Sequence, residues 1–475
     1  MSTQQANEDT PTAQLDAVRH ELAQADSVWT RGEGAPGIPK HRKAALKGTR
    51  GRVAIVDGCR TPFAKAGEQY SDMDVVDLAS VPAGELVRRL GLDPREIDQA
   101  IFGVVVPALH APNLGREVIL RLGLPSTITG TTVNLACASS NRAITHGAEA
   151  ILTGQAEVVL AGGAESLSNA PITFSKKASQ TFIAASKAKG AAGKIKTLSK
   201  LRPQDLAPQA PAIAEYTTGM TMGQACEKMA KENGISRQAQ DEIALLSHQR
   251  AAIATAEGRF DEQLVPTYTL PKIKEVVLED TGVRADSSLK ALAGLRPVFD
   301  RGYGTLTAGN SSPLTDGGSA VLLMSEKKAK ALGYEPLGYI RSYAYAALDP
   351  ATQLLQGPAY AAPQALDRAG LSLKDIDLVE MHEAFAAQIL SNIKAFASKK
   401  FAEEELGRSA AMGEIDLDRF NVNGGSVSIG HPFGATGARV TMQALYELKR
   451  RGENLALLTV CAAGGTGFSM VLERE

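Results

Sequence analysis

Two stretches of this chain repeat one pattern, and that repeat limits the folds it can adopt. Gly91-Leu92-Asp93-Pro94-Arg95-Glu96-Ile97-Asp98 returns as Gly370-Leu371-Ser372-Leu373-Lys374-Asp375-Ile376-Asp377. Helical text precedes each copy and an apolar strand follows it. Farther on, helical text after Cys137 leads to a strand at Val158 that ends in glycines, and helical text after Ala438 leads to a strand at Leu457 that ends in glycines. Helices alternating with short apolar runs predict an α/β protein with buried strands. Two matched pairs in one order predict a duplicated α/β core with halves at 51–330 and 331–475. The first half is much longer and so carries an insertion, about 169–300. Residues 1–50 read as an N-terminal extension: Leu15, Val18 and Leu22 suggest a short amphipathic helix, and Gly32 to Pro39 reads as a linker.

Composition excludes several classes. The 475 residues are 44% hydrophobic and 22% charged, which rules out global disorder. A net charge of −1 gives no overall field to attract nucleic acid, and no nucleic-acid module is present. Apolar runs fall far short of the roughly 20 residues needed to span a bilayer. Cys59, Cys137, Cys226 and Cys461 are too widely spaced for a CxxC motif. Reduced thiols in a cytoplasmic protein are expected, because the chain shows no secretory signal and its N-terminal acids argue against a mitochondrial leader.

Five segments carry candidate chemistry. Cys137, in Asn134-Leu-Ala-Cys-Ala-Ser-Ser-Asn, falls between strand-like and helical text. Unpaired N–H groups at a helix start favour thiolate over thiol, so a lowered pKa is expected, and the same donors can hold an oxyanion. His431 lies in Asn423-Gly-Gly-Ser-Val-Ser-Ile-Gly-His-Pro-Phe-Gly-Ala-Thr-Gly-Ala-Arg439. There it could take a proton from a thiol. That glycine run lacks the GxxxxGK[ST] of a phosphate loop. Cys461 ends an apolar strand, and the two cysteines would meet if both halves present their strand ends to one cleft. Thr307 to Gly318 adds main-chain donors. His382-Glu383 stands at a strand-to-helix junction, without the second histidine of a zinc HExxH motif.

Together these segments resemble the thiolase family. Asn134 to Ala138 is similar to its nucleophile motif, Ile429-Gly-His-Pro-Phe-Gly-Ala-Thr-Gly to its histidine motif, and Cys461-Ala-Ala-Gly-Gly to its second-cysteine motif. Arg60-Thr-Pro-Phe, Ala161-Gly-Gly-Ala-Glu-Ser and Thr307-Ala-Gly-Asn-Ser-Ser support the match, which covers about residues 51–475. The resemblance implies the duplicated five-layer α-β-α-β-α fold with a long loop-domain insertion. Many thiolases carry asparagine where this chain has His382. The histidine variant, with Asp205-Leu-Ala-Pro and Glu215-Tyr-Thr-Thr-Gly-Met, resembles the β-subunits of fatty-acid oxidation complexes.

The resemblance implies an acetyl-CoA C-acyltransferase that cleaves 3-oxoacyl-CoA with CoA, using a Cys137 acyl-enzyme, with acetyl-CoA C-acetyltransferase action in the condensing direction as the alternative. By the same carry-over, His431 is the base, Cys461 the second acid–base, His382 an oxyanion donor with His431, backbone N–H of Cys137 and Ala463 the other oxyanion site, and Ser312 a CoA contact. It implies no metal and no cofactor beyond CoA as substrate, a homodimer or tetramer, and a β-oxidation hydratase/dehydrogenase α-subunit as partner. A ketoacyl synthase would use one cysteine with two histidines, and a silent lipid carrier would have lost a catalytic position; Cys461 disfavours both. Residues 175–204 hold eight cations and no acid, interspersed with apolar side chains, which suits a solvated loop, a partner or a membrane surface.

Overall fold

In the computed structural model, which describes residues 18–20, 22, 51–209, 211 and 213–475, one mixed sheet runs through both halves. Its nine main strands are β1 (Val53–Arg60), β2 (Gln99–Gly103), β3 (Thr129–Val133), β4 (Val158–Glu165), β5 (Thr315–Ser325), β6 (Gly338–Ala347), β7 (Leu378–Met381), β8 (Leu455–Ala462) and β9 (Thr466–Glu473). Their spatial order is β7-β8-β9-β6-β1-β5-β4-β2-β3. Outward from the central β1–β6 pair, each half has two antiparallel pairings and then a parallel one. The first half ends on the parallel pair β2–β3; the second has a single parallel bridge, Val379 to Phe420, in the equivalent place.

The duplication extends to individual hydrogen bonds. Asp98, last residue of the first repeat, accepts from the backbone N–H of Glu157 and Val158 at 2.7 and 3.0 Å and so anchors the start of β4. Asp377, its counterpart, accepts from Asn454 and Leu455 at 3.1 and 2.9 Å and anchors β8 in the same way. Gly91 and Gly370 both take positive φ, 57° and 71°, as the chain leaves the preceding helix. The repeated motif is therefore a helix stop joined to a strand anchor.

Alternation of side chains then builds the layers. Leu160 of β4 faces one apolar cluster while its neighbours Val159 and Ala161 face another; Leu457 and Leu458 of β8 divide the same way. Helices α1 (Val75–Arg89) and α2 (Leu114–Arg121) cover the outer face of the first half. Asp74 caps α1 by accepting from the N–H of Val76 and Asp77. Helix α3 (Ser139–Leu152) lies on the inner face. The 169–300 segment contributes α4 (Lys176–Lys187), α5 (Gly190–Leu198), α6 (Met222–Glu232) and α7 (Arg237–Ala256). In the second half, α8 (Gly357–Ala369) and α9 (Ala386–Ala397) form the outer layer, and α10 (Thr436–Arg451) packs inside against α3. Five layers result: α1/α2, sheet, α3/α10, sheet, α8/α9. Each inner helix starts just after a candidate chemical residue, so packing α3 on α10 brings Cys137 and His431 together.

Two details differ from the sequence reading. The strand expected over Ala100 to Val106 stops at Gly103, because the N–H groups of Val105 and Val106 turn to the carboxylate of Glu165 at 3.1 and 2.8 Å. Most of residues 1–50 lies outside the described residues; within it, Val18 is buried against the second-half outer cluster and Arg19 pairs with Asp418 at 3.0 Å. No described helix is long and apolar enough to cross a membrane.

The halves meet backbone to backbone beside the strand ends. A methyl group on Gly163 would lie 2.0 Å from the carbonyl oxygen of Gly434 and 2.8 Å from that of Gly103. Gly163→Ala should therefore destabilise the protein by about 1–3 kcal/mol through overpacking. Thermal unfolding should show a lowered midpoint; an unchanged midpoint would mean that the two loops are free to separate.

Candidate active site

Cys137 sits on a tight turn between β3 and α3. Ala136, before it, has φ 45°, an unusual conformation for a residue with a side chain. The turn is tied by Asn134 Oδ1 accepting from Ala136 N–H at 3.0 Å, and by Ser139 Oγ, which accepts from Leu135 N–H at 2.9 Å and donates to Ala136 O at 2.6 Å. This geometry places the sulfur at the head of α3, where it meets the histidine loop of the other half.

His431 Nε2 lies 3.1 Å from Cys137 Sγ. Its other nitrogen, Nδ1, lies 2.7 Å from Thr436 Oγ1, whose own proton goes to the carbonyl oxygen of Pro432 at 2.9 Å. Thr436 must then accept from Nδ1–H, which leaves the Nε2 lone pair facing the thiol. The loop is held to the first half by Glu165, which is fully buried and accepts from Gly434 N–H at 2.8 Å. Burial raises the Glu165 carboxyl to about 7 against those backbone donors.

The expected lowering of the Cys137 pKa is not what the structure gives. Burial pushes the thiol up to about 12, and the backbone N–H groups of Ala463 and Cys137 itself offset only part of this. Burial, with the nearby Arg439 cation, presses His431 down to about 3. The helix start supplies its donors, but loss of water around the sulfur outweighs them. Both shifts favour a neutral thiol beside a neutral imidazole.

Cys461, at the end of β8, is fully buried; burial holds its thiol well above the ordinary value, and the Cys137 sulfur adds to that push. His382 lies beside His431 with ring centroids 4.0 Å apart and planes tilted by 43°. Burial keeps it well below the ordinary histidine value, with His431 and Arg439 acting in the same direction. Among the described residues, Cys137, His382 and His431 are the cluster whose potential ligand atoms lie within 4.8 Å of one another. Such a Cys/His/His set has the donor chemistry that suits zinc.

Glu383 accepts from Ser247 Oγ, Asn421 Nδ2 and Val427 N–H at 2.7, 2.8 and 3.1 Å, so it ties α7 of the insertion to the second half. The Thr307 to Gly318 loop is fixed to the His382 loop by Ser312 N–H to Ala384 O at 3.0 Å and Ala386 N–H to Asn310 O at 2.9 Å. A cleft of about 340 Å³ next to this loop is lined by Lys65, His248, Arg284, Ser311 and Val427. Ser311 lines it, while Ser312 meets the site through its backbone. Sequence reasoning did not single out Thr436, Glu165, Ser426 or Arg439. All four stand inside quoted motifs, and their pairing with the chemical groups was the missing signal.

Known proteins show the same pattern. The family model described as thiolase, N-terminal domain, matches residues 53–327, and the one described as thiolase, C-terminal domain, matches 334–474. The chain belongs to the thiolase family. It is 51% identical over 429 residues to a 3-ketoacyl-CoA thiolase of Pseudoalteromonas translucida, covering 90% of this chain and 98% of that one. It is also 51% identical over 424 residues to a 3-ketoacyl-CoA thiolase of Yersinia pestis, covering 89% and 97%. Among solved structures it is similar to the human mitochondrial 3-ketoacyl-CoA thiolase in complex with CoA, with TM-score 0.75, 32% identity and coverage of 90% and 99%. It is likewise similar to the Bacillus anthracis acetyl-CoA acetyltransferase, with TM-score 0.75, 34% identity and coverage of 89% and 98%.

Thr436→Val keeps the side-chain shape and removes the acceptor that fixes the thiolase His431. It should lower kcat about 10- to 100-fold with KM little changed, since only proton transfer depends on that tautomer. Equal kcat in both proteins would show that the Thr436 contact does not set the base.

Proposed function

We propose that this thiolase cleaves 3-oxoacyl-CoA with CoA to give acetyl-CoA and an acyl-CoA two carbons shorter, as an acetyl-CoA C-acyltransferase of fatty-acid β-oxidation. The observation that carries the reading is the 3.1 Å approach of His431 Nε2 to Cys137 Sγ, with Cys461 and His382 beside it. His431 takes the Cys137 proton as the sulfur attacks the C3 carbonyl. The C2–C3 bond breaks, the acyl group stays on Cys137 as a thioester, and the leaving acetyl-CoA enolate takes a proton from Cys461. The Cys461 thiolate then deprotonates CoA, whose sulfur attacks the thioester. Cys137 leaves and recovers its proton from His431. One nucleophile serves both half-reactions, so the kinetics are ping-pong.

Buried donors supply the electrostatics. His382 and His431 suit the enolate thioester oxygen, and backbone N–H groups of Cys137 and Ala463 suit the tetrahedral oxyanion. The cleft beside Thr307 to Gly318 is the proposed CoA site, where Lys65 and Arg284 offer positive charge to phosphates, and the neighbouring Ser312 is the contact proposed for the pantetheine arm. No metal or further cofactor is required. In the condensing direction the same steps make acetoacetyl-CoA; the 51% identity to relatives named 3-ketoacyl-CoA thiolase favours cleavage.

Assembly and location form part of the same proposal: a cytoplasmic homodimer or tetramer, with a hydratase/dehydrogenase α-subunit as partner. Strand β3, at one end of the sheet with an open edge and partly exposed residues, offers pairing to a second copy. The α4–α5 hairpin presents Ile183 and Ile195 at 55% and 67% exposure among lysines, and Lys187, Lys189, Lys194 and Lys196 make no ion pair among the described residues. That pattern suits an anionic membrane surface.

Acyl transfer is tested directly by incubating the protein with acetoacetyl-CoA and longer 3-oxoacyl-CoAs. Cys137→Ala should lower thiolysis about 10⁴-fold or more and abolish acyl labelling seen by mass spectrometry. Cys461→Ala should slow turnover while still accepting the acyl group on Cys137. Labelling that survives in Cys137→Ala would refute the assignment. Charge reversal at Lys187, Lys189, Lys194 and Lys196 should weaken binding to anionic vesicles about tenfold or more at low salt, and leave thiolysis of soluble acetoacetyl-CoA unchanged. Vesicle binding unaffected by the reversal would remove the membrane role.

A further inference from the structure

An asparagine amide carries its donor and acceptor on different atoms, whereas a neutral histidine must be told which nitrogen holds the proton. His382 can serve an oxyanion only if Nε2 bears hydrogen. Its Nδ1 lies 2.8 Å from Ser426 Oγ, and Ser426 Oγ accepts from Arg439 Nη2 at 2.7 Å. A guanidinium only donates. Among the described residues these are the two partners of the Ser426 hydroxyl, so its proton has one acceptor, Nδ1 of His382. The imidazole hydrogen is then on Nε2, and that atom is buried with no hydrogen-bond partner of its own among the described residues. The ring packs against His431, which touches the nucleophile.

We infer that Ser426, with its oxygen occupied by Arg439, is a positioning residue that fixes His382 as an Nε2–H donor to the reacting thioester. The inference rests on the functional reading above. Two hydroxyls thus set the two histidines in opposite senses. Thr436 spends its proton on Pro432 O and must accept from His431, which makes His431 Nε2 a base. Ser426 is filled by Arg439 and must donate to His382, which makes His382 Nε2 an acid-side donor. The arrangement also withholds from a metal the His382 lone pair that the Cys137/His431 cluster would need. Arg439 is itself fully buried, with Gln443 and the Glu380 and Glu383 carboxylates around it, so its position is determined by the α10 interior.

Two measurements test this. In the full-length protein with ¹⁵N-labelled histidine, the His382 signals, assigned by their loss in His382→Asn, should report a bare Nδ1 and a protonated Nε2, and Ser426→Ala should make the tautomer mixed or reversed. A protonated Nδ1 in the unsubstituted protein would overturn the inference whether or not the protein turns over acyl-CoA, so failure of this inference and failure of the functional reading are separable. Kinetically, Ser426→Ala should lower kcat about tenfold, less than the 10²–10³ that follow outright loss of such a donor. KM for acetoacetyl-CoA should stay within about twofold, and Ser426→Thr should recover most of the rate. In the His382→Asn background, Ser426→Ala should cost nothing further, because the amide needs no tautomer set. A loss of equal size in both backgrounds would show that Ser426 acts on packing and not through His382.

Discussion

The contact between Cys137 and His431 is the interaction on which the rest of the architecture converges. The two residues are 294 positions apart and belong to different halves. They meet because α3 and α10, equivalent helices of the duplicated core, pack against each other in the middle layer with their N-termini at one cleft. The glycine contacts at Gly163 and Gly434, the Glu165 carboxylate and the tight Ala136 turn all serve this approach. A fold with two copies of one strand-and-helix unit gives two strand ends and two helix starts facing one space, and the chemistry is distributed between them.

Burial decides the electrostatics of that space. Burial favours neutral thiols and neutral histidines over a standing ion pair. Arg439 is the buried cation nearest the histidines, pressed down to about 10 by burial and opposed first by Glu380. It discourages either histidine from gaining charge before substrate arrives, while its field favours the negative charge that develops on a thioester oxygen. Burial sets the neutral resting state, and the buried guanidinium adds the readiness for an oxyanion.

The duplicated order was legible because Asp98 and Asp377 keep their residue type as well as their place, and both turn out to anchor strands. Cys137 was legible between strand and helix text, His431 in a glycine-rich run, and Cys461 at a strand end beside small residues. The thiol pKa was misread: the sequence shows a helix start, but not how much water the folded chain removes from the sulfur. The end of β2 was misplaced for a related reason, since the carboxylate that takes the Val105 and Val106 N–H groups comes from Glu165, far along the chain. Ser426 and Thr436 were in view as letters of a glycine-rich motif. Their meaning lies in who donates to whom, which no spacing encodes.

The central claim is that Cys137 rests as a thiol hydrogen-bonded to neutral His431 and is activated only when substrate gives the charge somewhere to go. The pH dependence of Cys137 alkylation by iodoacetamide in the free protein reads this directly, with the labelled site identified by mass spectrometry. A thiol raised towards 12 has little thiolate at neutral pH, and that fraction grows as pH rises. The rate should therefore keep climbing from pH 6 through pH 9, roughly tenfold per unit, with no plateau. A rate already level between pH 6 and pH 8 would mean a preformed thiolate–imidazolium pair, and would contradict the account.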